Sequence, residues 1–255
     1  MPAARVTAVQ HLNPSQAAIA AIAPTGTLRA GINLSNFLLV TSIATDGTPV
    51  GVSPDMASAL GDQLGVGVEY LTYPNPGDVA DAATEDEWDI GNIGAEPVRA
   101  QFINFTGAYA EIESTYLVPA GSPIETVEDV DRPGHTICVK ARAAYGLWLE
   151  RNLKHAELVQ VESPASPLDV FLERGLDALA GLRPGLMSEV EKLPGARVLS
   201  GRFSVVQQAI GTPRDRHPAG LDFLIRFVEE AKISGFVSDS IGRHGVTGLS
   251  VGGLT

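Results

Sequence analysis

The sequence predicts an α/β protein of two lobes, each a sheet flanked by helices. Three observations predict it. Strand-like and helix-like patterns alternate along most of the chain, as layered α/β folds require. Two extended stretches, residues 110–119 and 205–210, are suited to carry the chain from one lobe to the other and back. The length, 255 residues, is enough for two small cores. The expected division is 25–112 plus 208–255 for lobe one and 113–207 for lobe two, with 1–24 as an N-terminal extension holding a short helix.

Each element follows from local chemistry. Residues 14–23 (P-S-Q-A-A-I-A-A-I-A) form the short helix, with Ser15 or Asn13 as its cap. Residues 27–32 alternate as a first strand that ends at Asn33. Asn33, Ser35 and Asn36 then place small polar groups at a strand's carboxyl end, where open α/β sheets bind ligands. Asp46-Gly47-Thr48-Pro49 is a turn. Ser53-Pro54-Asp55 caps a helix over 56–64 that Gly65 stops. Residues 66–73 form a second strand ending at Tyr73, and 78–87 a short, solvated acidic helix.

Residues 88–93 read as a buried strand, followed by a Gly/Pro loop from Gly94 to Val98 and then Arg99. An arginine placed there suits anion capture, because its planar fork grips a carboxylate with two parallel bonds. Glu96 lies in the same loop. Residues 135–140 form a strand that runs through Ala141 and Arg142 into a helix reaching about Leu153. Lys140, Arg142 and Tyr145 therefore sit where a strand end meets a helix start, a natural anion position. A strand over 158–162, a helix over 168–174 and a strand over 176–184 follow. Residues 221–232 are an amphipathic helix, and a last helix starts at Phe236 after Gly235.

Composition narrows the function. A net charge of -12 argues against a nucleic-acid partner. The single cysteine, Cys138, excludes an internal disulfide, and its apolar surroundings point to packing. The five histidines are scattered, so no metal or other cofactor is expected. No stretch approaches the roughly 18 apolar residues of a membrane span. Residues 1–14 lack the basic start and apolar core of a secretory signal. The chain as given is therefore expected in the cytoplasm, and in the periplasm if a leader has been removed. A monomer is expected.

The order of motifs resembles the type II periplasmic binding proteins, solute-binding protein family 3, the polar amino-acid binders of ABC transporters. Residues 26–31 and 55–65 carry its opening pattern. Asp89, the 94–98 loop, Arg99 and Phe105-Thr106-Gly107-Ala108-Tyr109 carry its central one. The resemblance runs from about Gly26 to Gly245. It implies two mixed sheets joined by a two-strand hinge, a cleft that closes on a small ligand, and an ABC permease as partner if the protein is exported. It gives Arg99 the ligand's carboxylate. Asn33, Asn36, Tyr73, Gly94 and Glu96 would line lobe one, and Lys140, Arg142, Tyr145 and Arg183 lobe two.

One departure stands out. Asp177-Ala178 matches the family's pattern, but Leu182 stands where amino-acid binders carry an aspartate for the ligand's ammonium. Together with the cations, this favours an anionic, carboxylate-bearing ligand, either an organic acid or an amino-acid-like molecule. The protein is expected not to be an enzyme. The alternative is a dehydratase resembling the cyclohexadienyl dehydratases, for which Glu96 or Glu173 would be the general acid.

Overall fold

A computed structural model describes residues 7–255; the reading of residues 1–6 in the N-terminal extension lies outside them. The chain forms two compact units, one ending at Glu111 and resuming as Gln207–Thr255, the other Ile112–Val206.

In the first unit, α1 (Gln16–Ile22) starts from Ser15, whose side chain accepts a hydrogen bond from the Ala18 amide. Strand β1 (Thr27–Asn33) follows, and then a small hairpin, β2 (Ser42–Ile43) and β3 (Pro49–Val50), closes around the Asp46 turn. Helix α2 (Val52–Leu64) begins before the expected Ser53 cap. Gly51 precedes it with φ +151°, and the Ser53 hydroxyl bonds the Tyr109 hydroxyl at 2.8 Å instead. Gly65 ends α2 in the left-handed conformation, as its lack of a Cβ allows.

Strand β4 (Gly67–Tyr73) leads through an Asn75 cap into α3 (Pro76–Ala82). The acidic stretch read as a solvated helix ends here at Ala82, and Val79, Ala80 and Ala82 are buried. Its charges occupy one face and the turn beyond, while its small apolar residues cover the sheet. Strand β5 (Ile90–Gly94) is buried throughout. A 3-10 turn, Arg99–Gln101, precedes the long β6 (Ile103–Val118), whose later part belongs to the second unit.

The second unit continues with β7 (Thr136–Lys140), α4 (Ala144–Asn152), β8 (Glu157–Val161), α5 (Pro167–Arg174) and β9 (Ala178–Leu182). The strand expected to run to residue 184 stops at Leu182. Arg183 opens α6 (Arg183–Val190), whose Pro184 is tolerated because first-turn amides have no intrahelical partner. The short β10 (Arg197–Val198) and β11 (Ser204–Pro213) return the chain to the first unit. There it ends with α7 (Pro218–Ile233), α8 (Phe236–Arg243) and β12 (Ser250–Val251).

Both units repeat one topology. In the first, β1 lies between β4 and β5, parallel to both, and β11 runs antiparallel beside β5. In the second, β7 lies between β8 and β9, parallel to both, and β6 runs antiparallel beside β9. Each unit thus sets three parallel strands beside one antiparallel strand, with helical crossovers between the parallel strands; the short β10 and β12 add antiparallel pairs to β6, and all ten strands belong to one mixed sheet.

Period-two alternation sorts the second unit's core. Ile137 and Val139 of β7 join Tyr116, Val130, Leu149 and Ala180 on one face. Cys138 joins Phe171, Leu176 and Leu186 on the other. Burial pushes the Cys138 thiol up to about 11, and the residue is fully buried. Cys138 should therefore resist iodoacetamide at pH 8 in the native protein and react once urea unfolds it, because the thiolate is the nucleophile. Mass spectrometry reads the outcome; rapid alkylation of the native chain would contradict this packing.

Candidate functional site

In a parallel sheet of order 2-1-3, the chain leaves the first strand in one direction and enters the third from the other. The loops beyond these two strands diverge and leave a crevice at their carboxyl ends. In the first unit that point lies between β1 and β5, paired through Ile32 and Asn92. It carries the Asn33–Asn36 loop and the Gly94–Arg99 loop.

Arg99 is 2% exposed, and its Nη1 donates to the Gly94 carbonyl at 2.7 Å. The Glu96 carbonyl accepts from the amides of Arg99 and Ala100 at 3.0 and 2.9 Å, which folds the loop back on itself. The Glu96 residue is itself buried at 9% exposure. Gly94, Glu96 and Arg99 are thus brought together as expected from their spacing. Asn33 and Asn36 shape the neighbouring loop. The Asn33 side-chain oxygen accepts from the Ser35 amide and hydroxyl, and that of Asn36 from the Leu38 amide.

Tyr73 has a different setting. Its hydroxyl donates to Glu87 at 2.7 Å, in a groove that it shares with Asp78, Asp81, Glu85 and Phe102. So many carboxylates repel an anion, which sets Tyr73 apart from the Arg99 loop.

In the second unit the equivalent point lies between β7 and β9, paired through Ile137 and Cys138 of β7. Lys140 ends β7 half-buried, and Arg142 follows in the left-handed region at φ +59°. A non-glycine residue there costs on the order of 1 kcal/mol and persists where its surroundings impose it. Helix α4 starts at once, with no side-chain cap bond at Ala143, so its first amides and the Lys140–Arg142 turn share one edge. Gly146 permits this approach, because a Cβ there would lie 2.9 Å from the Lys140 carbonyl. Tyr145 packs against the core around Ile137 and Val139 rather than lining that edge, and burial raises its phenol.

Arg183 is committed elsewhere. Its Nε donates to Glu113 at 2.8 Å, its Nη1 to the Leu199 carbonyl, and its Nη2 to the Gly201 carbonyl. Arg202 reaches the other oxygen of Glu113 at 2.9 Å. All three nitrogens of the guanidinium are thus already engaged by one carboxylate and two carbonyls, and this is the physical reason to leave Arg183 out of the ligand set.

The hydrogen bond from Arg183, and then that from Arg202, hold the Glu113 carboxyl below its usual 4.5. A depressed folded value means that stability from this pair is present above about pH 4.5 and is lost as pH falls through the folded value. The side chain is 43% exposed, so the effect is small. Thermal melts from pH 6 to pH 3 should show a shallower acid loss in Glu113→Gln than in the parent; parallel curves would refute the linkage.

One feature escaped the sequence reading. Asn92, at the centre of β5, is 1% exposed, and neither atom of its amide meets a hydrogen-bond partner among the described residues. A polar residue inside an otherwise apolar strand was the available signal. Glu173 is exposed on α5, which removes the burial a general acid needs to work near neutral pH.

Comparison with known proteins places this arrangement. Among curated proteins no sequence matches. Solved structures share the fold. A mutant of ArgBP from T. maritima is 19% identical with a TM-score of 0.70, covering 90% of this chain and all of that one (100%). A substrate-binding protein of an amino acid ABC transporter from Streptococcus pneumoniae, bound to L-arginine, is 18% identical at 0.69, covering 91% and 100%. An ancestral amino acid-binding protein, a precursor of cyclohexadienyl dehydratase, is 20% identical at 0.69, covering 88% and 97%. Residues 28–240 match the family profile, and the chain belongs to the bacterial extracellular solute-binding proteins, family 3.

Proposed function

We propose that this solute-binding protein takes a small, carboxylate-bearing anion as the capture component of an ABC-type transporter. The observation that carries the reading is Arg99, a guanidinium at 2% exposure in the loop beyond β5, at the switch point of the first unit's sheet. A buried guanidinium is a strong, directional partner for a carboxylate, and water does not screen it. The second unit carries an anion-favouring edge of its own. Lys140, Arg142 and the uncapped start of α4 make the edge beyond β7 favourable to negative charge. Beside them β9 ends in Leu182, where a carboxylate would be needed to hold an ammonium. An unpaired buried ammonium is costly by several kcal/mol, on the order of the penalty for breaking a buried pair. L-arginine and lysine, the ligands named for similar structures, both carry that ammonium.

Titration calorimetry against organic acids, L-arginine and L-lysine tests this. An organic acid is expected to bind best, and Arg99→Ala to weaken it at least about 30-fold, since truncating one partner of a buried charge pair removes about 2–5 kcal/mol. Unchanged affinity in Arg99→Ala would overturn the anchor, and tighter binding of L-arginine or L-lysine would overturn the anionic ligand. Glu96 is the one candidate acid buried beside Arg99. Turnover of prephenate or arogenate that Glu96→Gln abolishes would replace binding with catalysis.

A further inference from the structure

We infer that Asn92 is a specificity-determining residue of the Arg99 site, and that the ligand carries a neutral carboxamide beside its carboxylate. The inference rests on the proposed anion site and names the second group that this site recognises. Asn92 is 1% exposed, and neither its Oδ1 nor its Nδ2 meets a hydrogen-bond partner among the described residues. A buried polar group left in this way costs stability, and such a cost is retained where the group serves a ligand.

The register of the sheet fixes where this amide can find partners. Residues directly opposite one another share a face, as do residues two apart along a strand. Asn92 is flanked by Ile32 of β1 and Ile210 of β11, and Ile90 precedes it on the same face. None of these three side chains can donate or accept. Gly31 and Gly91 face Trp88 on the opposite side of the sheet, and Ile93 packs with that ring. Ahead of Asn92 on its own face stands Gly94, which has no side chain. Opposite Gly94 is Gln208, a second carboxamide, at 5% exposure.

The direction left open to Asn92 within the sheet therefore leads to the carboxyl end of β5. There Arg99 Nη1 donates to the Gly94 carbonyl at 2.7 Å. All of these residues belong to the first unit. Two residues of strand cover about 7 Å, so the guanidinium and the Asn92 amide stand a short organic chain apart. Asn92 presents a donor and an acceptor on one planar group. A carboxamide returns both bonds side by side, whereas a ketone or a carboxylate has no N–H for Oδ1.

Titration calorimetry compares succinamate with 4-oxopentanoate, an acid of equal size with a methyl group in place of the amide NH2. The proteins are the parent chain, Asn92→Leu and Arg99→Ala. Succinamate is expected to bind the parent at least about tenfold tighter, because a site built to hydrogen-bond an N–H rejects the analogue that lacks it. Asn92→Leu should bring the two acids within about twofold of each other. Arg99→Ala should weaken both. A thermal melt checks that each variant is folded, and Asn92→Ala takes the place of Asn92→Leu should the larger side chain prevent folding. Equal affinities in the parent, or a preference for succinamate that survives the loss of Asn92, would overturn the carboxamide ligand; the Arg99 anchor stands so long as Arg99→Ala weakens both acids. Failure of both acids where another organic acid binds would likewise overturn this inference alone. Failure of every carboxylate to bind would overturn the anion site and the inference with it.

Discussion

Trp88→Ala should lower the unfolding free energy by about 3–5 kcal/mol, the range for truncating a large buried aromatic residue. The indole is fully buried, and its Nε1 donates to the Val79 carbonyl at 2.9 Å. Its seat is made by two glycines. A Cβ at Gly31 of β1 would lie 2.9 Å from the ring, and one at Gly91 of β5 also 2.9 Å. The ring therefore lies directly on the backbone of two paired strands, with Val79, Ala80, Ala82 and Ala83 above it. Removing it leaves a cavity that glycine and alanine cannot refill, and it strips the Val79 carbonyl of its donor. Those strands lead into the Asn33 and Gly94 loops, so the loss reaches the site as well. Urea unfolding measures it. A loss below about 1.5 kcal/mol would mean that the sheet collapses onto the space, contrary to the packing described.

The parts of the fold that were legible in the sequence are those set by local chemistry. Gly65 and Gly235 stop or start helices because left-handed backbone suits glycine, and both adopt it. The T-I-C-V-K run of β7 announces a strand buried on both faces. Arg99 stood out because a Gly/Pro loop after a buried strand is a local signal, and the structure keeps Gly94, Glu96 and Arg99 together. What escaped was set by distant partners. Nothing near Arg183 tells of Glu113, 70 residues away, so counting it among the ligand's cations overlooked a bond already made. Tyr73 was placed correctly at a strand end, but its neighbours come from α3 and the turn after it. The acidic stretch read as solvated because its charges were counted, whereas α3 buries the small residues between them. Ser53 looked like a cap from its flanks, yet its partner is Tyr109 on β6.

Asp89→Ala is the second substitution expected to be severe, at about 3–5 kcal/mol, because it leaves two arginines without their shared carboxylate. Asp89 is fully buried at the entry to β5. One of its oxygens accepts from the Arg29 amide at 3.0 Å and from Arg29 Nε at 3.1 Å. The other accepts from Arg29 Nη2 at 2.7 Å and from Arg216 Nη2 at 3.0 Å. The Asp89 amide in turn donates to the Arg29 carbonyl, so one residue ties the start of β5 to β1 through side chain and backbone alike. Both arginine side chains are largely sheltered, at 20% and 16% exposure, and Asp86 at 70% exposure cannot neutralise both. Truncation thus strands charge where water cannot fully solvate it, and this term exceeds the attraction that the pair supplied. The same reasoning predicts that a triple variant, Asp89→Leu with Arg29→Met and Arg216→Met, recovers much of the loss, since no ion remains to be desolvated. Denaturant melts of the single and triple variants decide the point. Equal destabilisation in both would show that the hydrogen bonds, not the stranded charge, hold this end of the sheet.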